Sequence, residues 1–240
     1  MLGTQQFFQG LQLISQPGLR KFVVFPLLLN ICVFTAALIL LFSQFGALIG
    51  WLIGDLPSWL SWLEYLLWPF FAITALLLVF FTFSIIGNII ASPFHGFLAE
   101  AVEKKITNNQ NEEDFSWQQL AVVVPKAIGR ELRKLLYYLP WLAILLLITI
   151  TPVLNIIAPF AWFAYSTWML SVQYVDYAAD NNGVGFKEMI EQLKQSRTNA
   201  LTFGGTVYLL MFIPFVNFLV IPAAVAGGTV MWVELNRKKI

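Results

Sequence analysis

Two cationic side chains stand at the start of the first long apolar run of this sequence. The stretch is Pro17-Gly18-Leu19-Arg20-Lys21, and the apolar run continues over residues 22–53. If a helix begins here, the unpaired N–H groups of its first turn, the positive end of its dipole and the two cations converge on one point. The glycine lets an anion approach these N–H groups closely. The stretch therefore predicts a binding site for a tetrahedral dianion, formed by Gly18, Leu19, Arg20 and Lys21. The alternative is that the two cations only anchor the span.

A second set of charged residues lies on two helices predicted further along the chain. One carries Glu100, Glu103 and Lys104, and the other carries Arg130, Arg133 and Lys134. Each triplet has i, i+3, i+4 spacing, so its members share a face, and the two faces have complementary charges. We expect the faces to line a pathway or gate, because arginines attract anions and the glutamates hold the route closed at rest. The alternative is two solvated faces with marginal ion pairs.

The sequence offers little for catalysis. His95 is the single histidine, and no HExxH, GxSxG or phosphate-loop pattern occurs. Gly183-Val184-Gly185 lacks the third glycine of a dinucleotide site, and the single cysteine, Cys32, lies within an apolar run. We therefore expect no enzyme activity, no cofactor and no metal site. The basic residues form discrete clusters and do not follow an aromatic groove, so we expect no nucleic-acid partner.

The composition is that of a membrane protein. Of 240 residues, 59% are hydrophobic and 11% are charged, against about 45–50% and about 25% in soluble domains. Uncharged runs over residues 22–53 and 66–90 predict two transmembrane helices. The loop between them holds Asp55 and Glu64 but no lysine or arginine, and Ser92-Pro93 is expected to mark the exit of the second helix. Ahead of both, residues 4–16 predict a short helix lying in the membrane interface, with its glutamines on one side.

Two later apolar stretches are interrupted by prolines. Residues 135–175 are cut at Pro140, Pro152 and Pro159, and residues 200–233 are cut at Pro214 and Pro222. Each stretch divides into pieces of about 13–17 residues, reaching roughly 20–25 Å, which is less than the hydrocarbon thickness. We expect two re-entrant helical hairpins whose proline-bounded tips, 152–159 and 214–222, are buried near the bilayer centre. The alternative is four ordinary spans joined by apolar turns.

The distribution of basic residues predicts the orientation of the chain. Residues 94–134 hold six of the 14 lysines and arginines and predict a cytoplasmic helical region, on the same side as the amino terminus and the tail Arg237-Lys238-Lys239. Tyrosines and carboxylates alternate over residues 174–181, where the first hairpin leaves the bilayer, in a pattern typical of an aromatic belt. The expected fold is a single all-α membrane domain over residues 1–240.

Several of these segments together resemble one family, the CysZ sulfate permeases. They are Gly18-Leu19-Arg20, residues 88–103 (Asn-Ile-Ile-Ala-Ser-Pro-Phe-His-Gly-Phe-Leu-Ala-Glu-Ala-Val-Glu), residues 174–181, and the ending from Ile213 to Trp232. The resemblance covers nearly the whole chain. It implies a multi-pass protein of the bacterial inner membrane that imports sulfate for assimilation into cysteine, with two long transmembrane helices, partly penetrating hairpins and an oligomeric state. It also implies that Gly18, Leu19 and Arg20 bind sulfate, with Lys21 in place of a second arginine.

The cationic helix start and the resemblance together predict a sulfate transporter or channel. Sulfate, membrane lipid and further copies of the chain are the expected partners. Two alternatives stay open at this point: a transporter of another oxyanion, such as sulfite, thiosulfate or molybdate, and a membrane scaffold that binds partners through residues 94–134. The residues also leave open whether transport is passive or is coupled to protons through His95 and the glutamates.

Overall fold

A computed structural model describes residues 2–53, 62–108, 117–213 and 216–237, and within these ranges the regular structure is helical. The α-helices are α1 Gly3–Ile14, α2 Lys21–Ile53, α3 Trp62–Ile106, α4 Trp117–Ile150, α5 Ala158–Asn181, α6 Phe186–Gln195, α7 Arg197–Met211 and α8 Asn217–Arg237. A short 3-10 helix, Leu154–Ile157, precedes α5. The predicted all-α class is confirmed for the described residues.

The chain forms two compact units. The larger unit comprises Met1–Val23 and Ser92–Ile240, and the smaller one comprises Val24–Ala91. In the smaller unit, α2 has 33 residues and a length of about 50 Å, and its side chains are largely exposed; Phe42, for example, is 70% exposed. A helix that is apolar on all sides and uncovered by protein is typical of a membrane span. The helix predicted over residues 22–53 is therefore present.

Three helical segments are long and apolar enough to cross a membrane, counted over the described residues. They are Lys21–Gln44, Pro125–Ile150 and Phe218–Asn236, and a shorter apolar segment is Tyr65–Val79. The second predicted span, residues 66–90, lies within a continuous helix, α3. Ser92-Pro93 does not end that helix, which continues to Ile106. The continuation buries Leu98, Ala99 and Val102 completely, and this packing outweighs the local effect of a proline.

Some predictions lie outside the described residues. They concern the loop with Asp55, the acids Glu112, Glu113 and Asp114, the tip residues Pro214 and Phe215, and the end of the basic tail, Lys238 and Lys239.

In the larger unit, α1 packs on α7 and α8, and its position in the membrane interface stays a prediction. A Cβ at Gly10 would collide with the backbone of Ala223 and Gly227. Because glycine allows this close approach, α1 enters the core and buries Phe7 and Gln6, each 1% exposed. The predicted helix is therefore present, but the periodicity did not reveal that one glutamine faces inward.

The packing of α5 on α7 is equally close and fixes their relative direction. A Cβ at Gly204 would collide with the carbonyl of Thr167, and the hydroxyl of Ser171 donates to the carbonyl of Ala200. Further along, the rings of Phe163 and Tyr208 lie 5.5 Å apart. Residue numbers fall on α5 as they rise on α7, so the two helices are antiparallel, and the start of α5 and the end of α7 lie at the same end of the unit.

A helix break lies near the first predicted tip, and the helices on either side are longer than predicted. The chain turns after Ile150 and α5 begins near Pro159, as predicted, whereas α4 runs straight through Pro140. Helix α7 ends at Met211 and α8 begins at Asn217, and Pro222 lies inside α8. With 24 residues in α5 and 21 in α8, these arms are about 36 and 31 Å long. Only α7, with 15 residues, has the predicted short length, because the other helices extend beyond the apolar stretches.

The end of the larger unit that carries both turns exposes large apolar side chains. They are 62–78% exposed and comprise Ile150, Val153, Ile156, Phe160, Phe212 and Phe218. The opposite end carries the charged residues of α5 and the amphipathic helix α6, which buries Met189 and Leu193. The unit therefore has an apolar end and a polar end.

Candidate functional site

The predicted anion-binding stretch forms the connection between α1 and α2. We call residues 15–21 the Gly18 turn. Gly18 has a φ of +91°, a left-handed conformation that glycine adopts without strain. A Cβ there would meet no atom within 4 Å, so the backbone conformation and not the space requires glycine. The turn directs Leu19 into the core, where it is 3% exposed. Leu19 therefore anchors the turn.

The backbone of the Gly18 turn presents hydrogen-bond donors. The N–H groups of Leu19 and Phe22 are used within the turn, at 3.3 and 3.1 Å from carbonyl oxygens. The N–H groups of Gly18, Arg20 and Lys21 donate to no residue within the described ranges. These are the orphan donors expected at the start of a helix, at the positive end of its dipole.

The two cations of the turn are exposed beside these donors. Arg20 is held by one hydrogen bond, from its Nε to the carbonyl of Ser15 at 2.6 Å, and this bond leaves the Nη atoms available. The Nζ atom of Lys21 lies 5.1 Å from the centre of the Phe22 ring. Both side chains are solvent-accessible. The turn thus combines free N–H groups, a helix start and two positive charges, which is an arrangement that can bind an oxyanion.

The position of the Gly18 turn in the larger unit follows from the direction of α1. Gln6 donates to Glu234, near the carboxyl end of α8, whereas Gly10 packs on Ala223, nearer its start. The two helices are therefore antiparallel, and the carboxyl end of α1 lies beside the first half of α8. The Gly18 turn, which follows the carboxyl end of α1, is therefore nearer to the apolar end of the larger unit than Gln6 is.

A second group of charged side chains lines a cavity of about 260 Å³ in the larger unit. We call it the charged cavity, and its charged residues are Lys126, Arg130, Glu131, Lys134, Asp176 and Asp180. Three are cations from α4, and the three acids come from α4 and α5. Buried charges are stable only when they are paired, and the pairs in this cavity divide into a buried and an exposed set.

Arg130 is the centre of the buried set. Its Nε and Nη2 atoms donate to both carboxylate oxygens of Asp176, at 2.7–3.1 Å. Its Nη1 atom donates to the carbonyl of Val184 at 3.0 Å and lies 3.1 Å from Asp180. The planar guanidinium lies 5.8 Å from the ring of Phe186. This geometry uses the fork of an arginine, which a lysine could not reproduce.

The carbonyl of Val184 is positioned by the end of α5. Gly183 has a φ of +69°, and the N–H of Val184 donates to the carbonyl of Ala179 at 2.9 Å. With the bond from Gly183 to Asp180, also 2.9 Å, this is a Schellman motif. Gly183-Val184-Gly185 therefore ends a helix and directs a backbone acceptor toward Arg130.

Lys134 is the second buried cation, with a side chain 1% exposed. Its Nζ atom lies 2.7 Å from Glu131 and 3.5 Å from Asp176, and 4.4 Å from the centre of the Tyr177 ring. Glu131 also accepts from the Tyr177 hydroxyl, at 3.2 Å. The ammonium group is thus surrounded by two carboxylates and an aromatic face, all of which favour its charge.

The structure separates the six predicted pathway residues. Of the triplet on α4, Arg130 and Lys134 line the cavity, whereas Arg133 is exposed and lies outside it. On α3, Lys104 pairs with Glu100 at 2.8 Å, within its own helix.

Glu103 and Arg130 have their partners on α5 or just after it, and that the two faces line a pathway stays a prediction. Glu103 accepts from Asn182 at 2.8–3.0 Å, and burial raises the pKa of Glu103. Arg130 pairs with acids of α5. The reason is that α5 carries its own acids to the α4 face, at positions that spacing within one helix cannot reveal.

His95 lies beside the charged cavity in a neutral state. Burial, and to a lesser degree the positive charge of Lys134, lower the pKa of His95 to about 4. Its Nδ1 atom lies 3.4 Å from the Tyr177 hydroxyl. At neutral pH the imidazole is therefore uncharged, and it contributes no positive charge to the cavity.

Sequence reasoning missed the acids of the cavity. Asp176 has a side chain 1% exposed, although the pattern of residues 174–181 suggested an aromatic belt. A carboxylate that follows a long apolar helix and has a second acid four residues later is a signal for a buried ion pair, because aspartate is rarely buried without a partner. Glu131 lies among the predicted basic residues and gave no separate signal.

The sequence of the chain matches a known family. The family model described as "Sulfate transporter CysZ/Etoposide-induced protein 2.4" matches residues 6–222. The chain is 45% identical to a protein of Pseudomonas fluorescens (strain Pf0-1), over 97% of this chain and 93% of the relative. It is 46% identical to a protein of Pseudomonas syringae pv. tomato, over 98% and 92%, and 44% identical to one of Vibrio cholerae, over 96% and 92%. All three relatives are named "Sulfate transporter CysZ".

Proposed function

The chain belongs to the family of the sulfate transporter CysZ and etoposide-induced protein 2.4, and we propose that it transports sulfate across the bacterial inner membrane for assimilation into cysteine. The relatives are similar over almost their whole length, and the protein is a transporter and not an enzyme. The three apolar helical segments agree with a membrane protein.

Sulfate is captured at the Gly18 turn. The observation that carries this assignment is the coincidence of the free N–H groups of Gly18, Arg20 and Lys21 with two exposed cationic side chains. A dianion with four acceptor oxygens matches several convergent donors better than a halide does. Leu19 contributes by holding the turn in the core and not by direct contact.

The ion then passes along the charged cavity. Arg130 and Lys134 supply the positive charge of this route. Glu100, Glu103 and Lys104 do not line the cavity, and we place them on the part of the route beyond it, on α3. Arg133 is exposed on the outer side of α4, so we assign it no part in the route. The carboxylates of the cavity neutralise its cations at rest, which prevents uncontrolled passage of anions.

In the membrane, α2 and the apolar part of α3 are the full spans, and the hairpins α4–α5 and α7–α8 enter from the cytoplasmic side with their apolar end first. The exposed apolar side chains of that end, such as Phe160 at 78%, then contact lipid or a second copy of the chain. Residues 94–134 and α6 are cytoplasmic, because basic residues favour that side.

Removal of one charge from the Gly18 turn tests the assignment. We expect Arg20→Ala to abolish sulfate binding measured by titration calorimetry on the purified protein, because the remaining cation and the N–H groups retain too little positive charge. Arg197→Ala is the matched control, since Arg197 is another exposed arginine at a helix start: it is the first residue of α7, and Arg20 directly precedes the first residue of α2. Unchanged affinity in Arg20→Ala, or an equal loss in Arg197→Ala, would contradict the assignment. Competition with sulfite, thiosulfate and molybdate in the same titration measures the selectivity.

A further inference from the structure

Arg130 has two carboxylate partners that differ greatly in burial. Asp176 is 1% exposed and holds the Nε and Nη2 atoms of the guanidinium. Asp180 is 42% exposed and reaches only Nη1, at 3.1 Å. An ion pair with an exposed partner contributes little to stability, whereas breaking a buried pair with several hydrogen bonds is strongly destabilising. Asp180 is therefore the partner that can leave.

The charges of the cavity balance only while Asp180 is present. The three cations Lys126, Arg130 and Lys134 face the three acids Glu131, Asp176 and Asp180. A neutral cavity offers little attraction to a dianion. When the carboxylate of Asp180 turns toward solvent, the cavity has one uncompensated positive charge, and Nη1 of Arg130 has a donor directed into the cavity.

We propose that the charged cavity is a second binding site for sulfate. In the absence of sulfate, the carboxylate of Asp180 occupies this site as a displaceable counter-ion. The proposal rests on the proposed function and adds a site to the one at the Gly18 turn. Sulfate takes the place of the Asp180 carboxylate on the same donors. Arg130 is therefore paired both when sulfate is bound and when it is not.

The rest of the cavity fits this exchange. Asp176 and the carbonyl of Val184 keep the guanidinium in place whether or not Asp180 is bound. Lys126 is an exposed cation on the cavity wall and is not among the residues that hold Arg130, so it can face the dianion. The volume of about 260 Å³, against about 30 Å³ for one water molecule in the liquid, accommodates a four-oxygen anion with some of its hydration.

The exchange predicts that Asp180→Asn restores the sulfate binding that Arg20→Ala has removed. In the Arg20→Ala protein the Gly18 turn no longer captures sulfate, and competition from Asp180 keeps the affinity of the cavity for sulfate below the range that the titration detects. We expect the double variant Arg20→Ala/Asp180→Asn to bind sulfate measurably by titration with sodium sulfate, because the asparagine leaves Arg130 Nη1 without a competing carboxylate. Adding Lys126→Gln to this double variant should abolish the binding again.

The matched control is Arg20→Ala/Glu191→Gln, which removes an exposed acid of α6 outside the cavity and should leave binding absent. If Arg20→Ala/Asp180→Asn binds no sulfate while the unmodified protein does, or if the Glu191→Gln control also regains binding, the second site is wrong. Failure of the unmodified protein to take up sulfate would instead overturn the proposed function. The two failures can be told apart, because the proposed function is tested by uptake with the unmodified protein and the second site is tested by binding to the variants.

Discussion

Asp176 holds two buried cations at once, and at the scale of single residues it is the central contact of the larger unit. It accepts hydrogen bonds from Arg130 and lies 3.5 Å from Lys134. All three side chains are less than one-tenth exposed. Removal of its charge leaves the two cations with only Glu131 and Asp180 as acidic partners.

We expect Asp176→Asn to lower the free energy of unfolding by about 3 kcal/mol or more, as for other broken buried pairs. Asp180→Asn should cost less than about 1 kcal/mol, because its pair is exposed. Denaturant unfolding of the purified proteins in the same detergent measures both values. Equal stability of the two variants would show that burial does not distinguish the two acids.

Residue types and spacing singled out Arg130 and Lys134 of the charged cavity but neither Lys126 nor the acids around them. Helical spacing placed Arg130, Arg133 and Lys134 on one face, yet the first and last are buried and the middle one is exposed. Positions three and four residues apart differ enough in direction that a neighbouring helix can cover two of them and leave the third outside. That neighbour is α5, and a single sequence does not show which helix packs on α4.

At the scale of helices, the sequence located the first hairpin turn but not the ends of the arms. Prolines predicted breaks at Pro140 and Pro222, and both lie within helices. A proline removes one backbone hydrogen bond, but a helix can continue where its packing compensates for the loss. The glycines gave little warning of the close packing of α1, α5, α7 and α8, because close approach of two helices depends on both partners.

The packing of α7 on α5 depends on the absence of a side chain at Gly204. A Cβ at this position would collide with the backbone of Thr167, which cannot move without moving α5. We expect Gly204→Ala to destabilise the protein by at least about 2 kcal/mol through overpacking.

Gly129→Ala is the control, since a Cβ at Gly129 meets nothing within 4 Å, and alanine in a helix should add about 0.5–1 kcal/mol of stability. Thermal unfolding of both variants tests the pair of expectations. A neutral or stabilising Gly204→Ala would mean that the two helices are farther apart than the structure places them.

At the scale of the whole molecule, composition predicted the membrane class because the excess of hydrophobic residues is distributed over the entire chain. The number of spans was harder to predict, since hydropathy does not show where a helix continues past its apolar stretch. The exposed apolar side chains, such as Phe42 on α2 and Phe160 at the apolar end, would be an aggregation hazard in water. In the hydrocarbon core of a bilayer the exposure of these apolar side chains has no such cost.

Sulfate uptake into liposomes containing the purified protein tests the central claim most directly. The account predicts uptake of labelled sulfate well above that of empty liposomes, loss of this uptake in Arg20→Ala, and uptake close to the unmodified level in Arg197→Ala. A rate for the unmodified protein equal to that of empty liposomes would contradict sulfate transport, and full uptake in Arg20→Ala would contradict the role of the Gly18 turn.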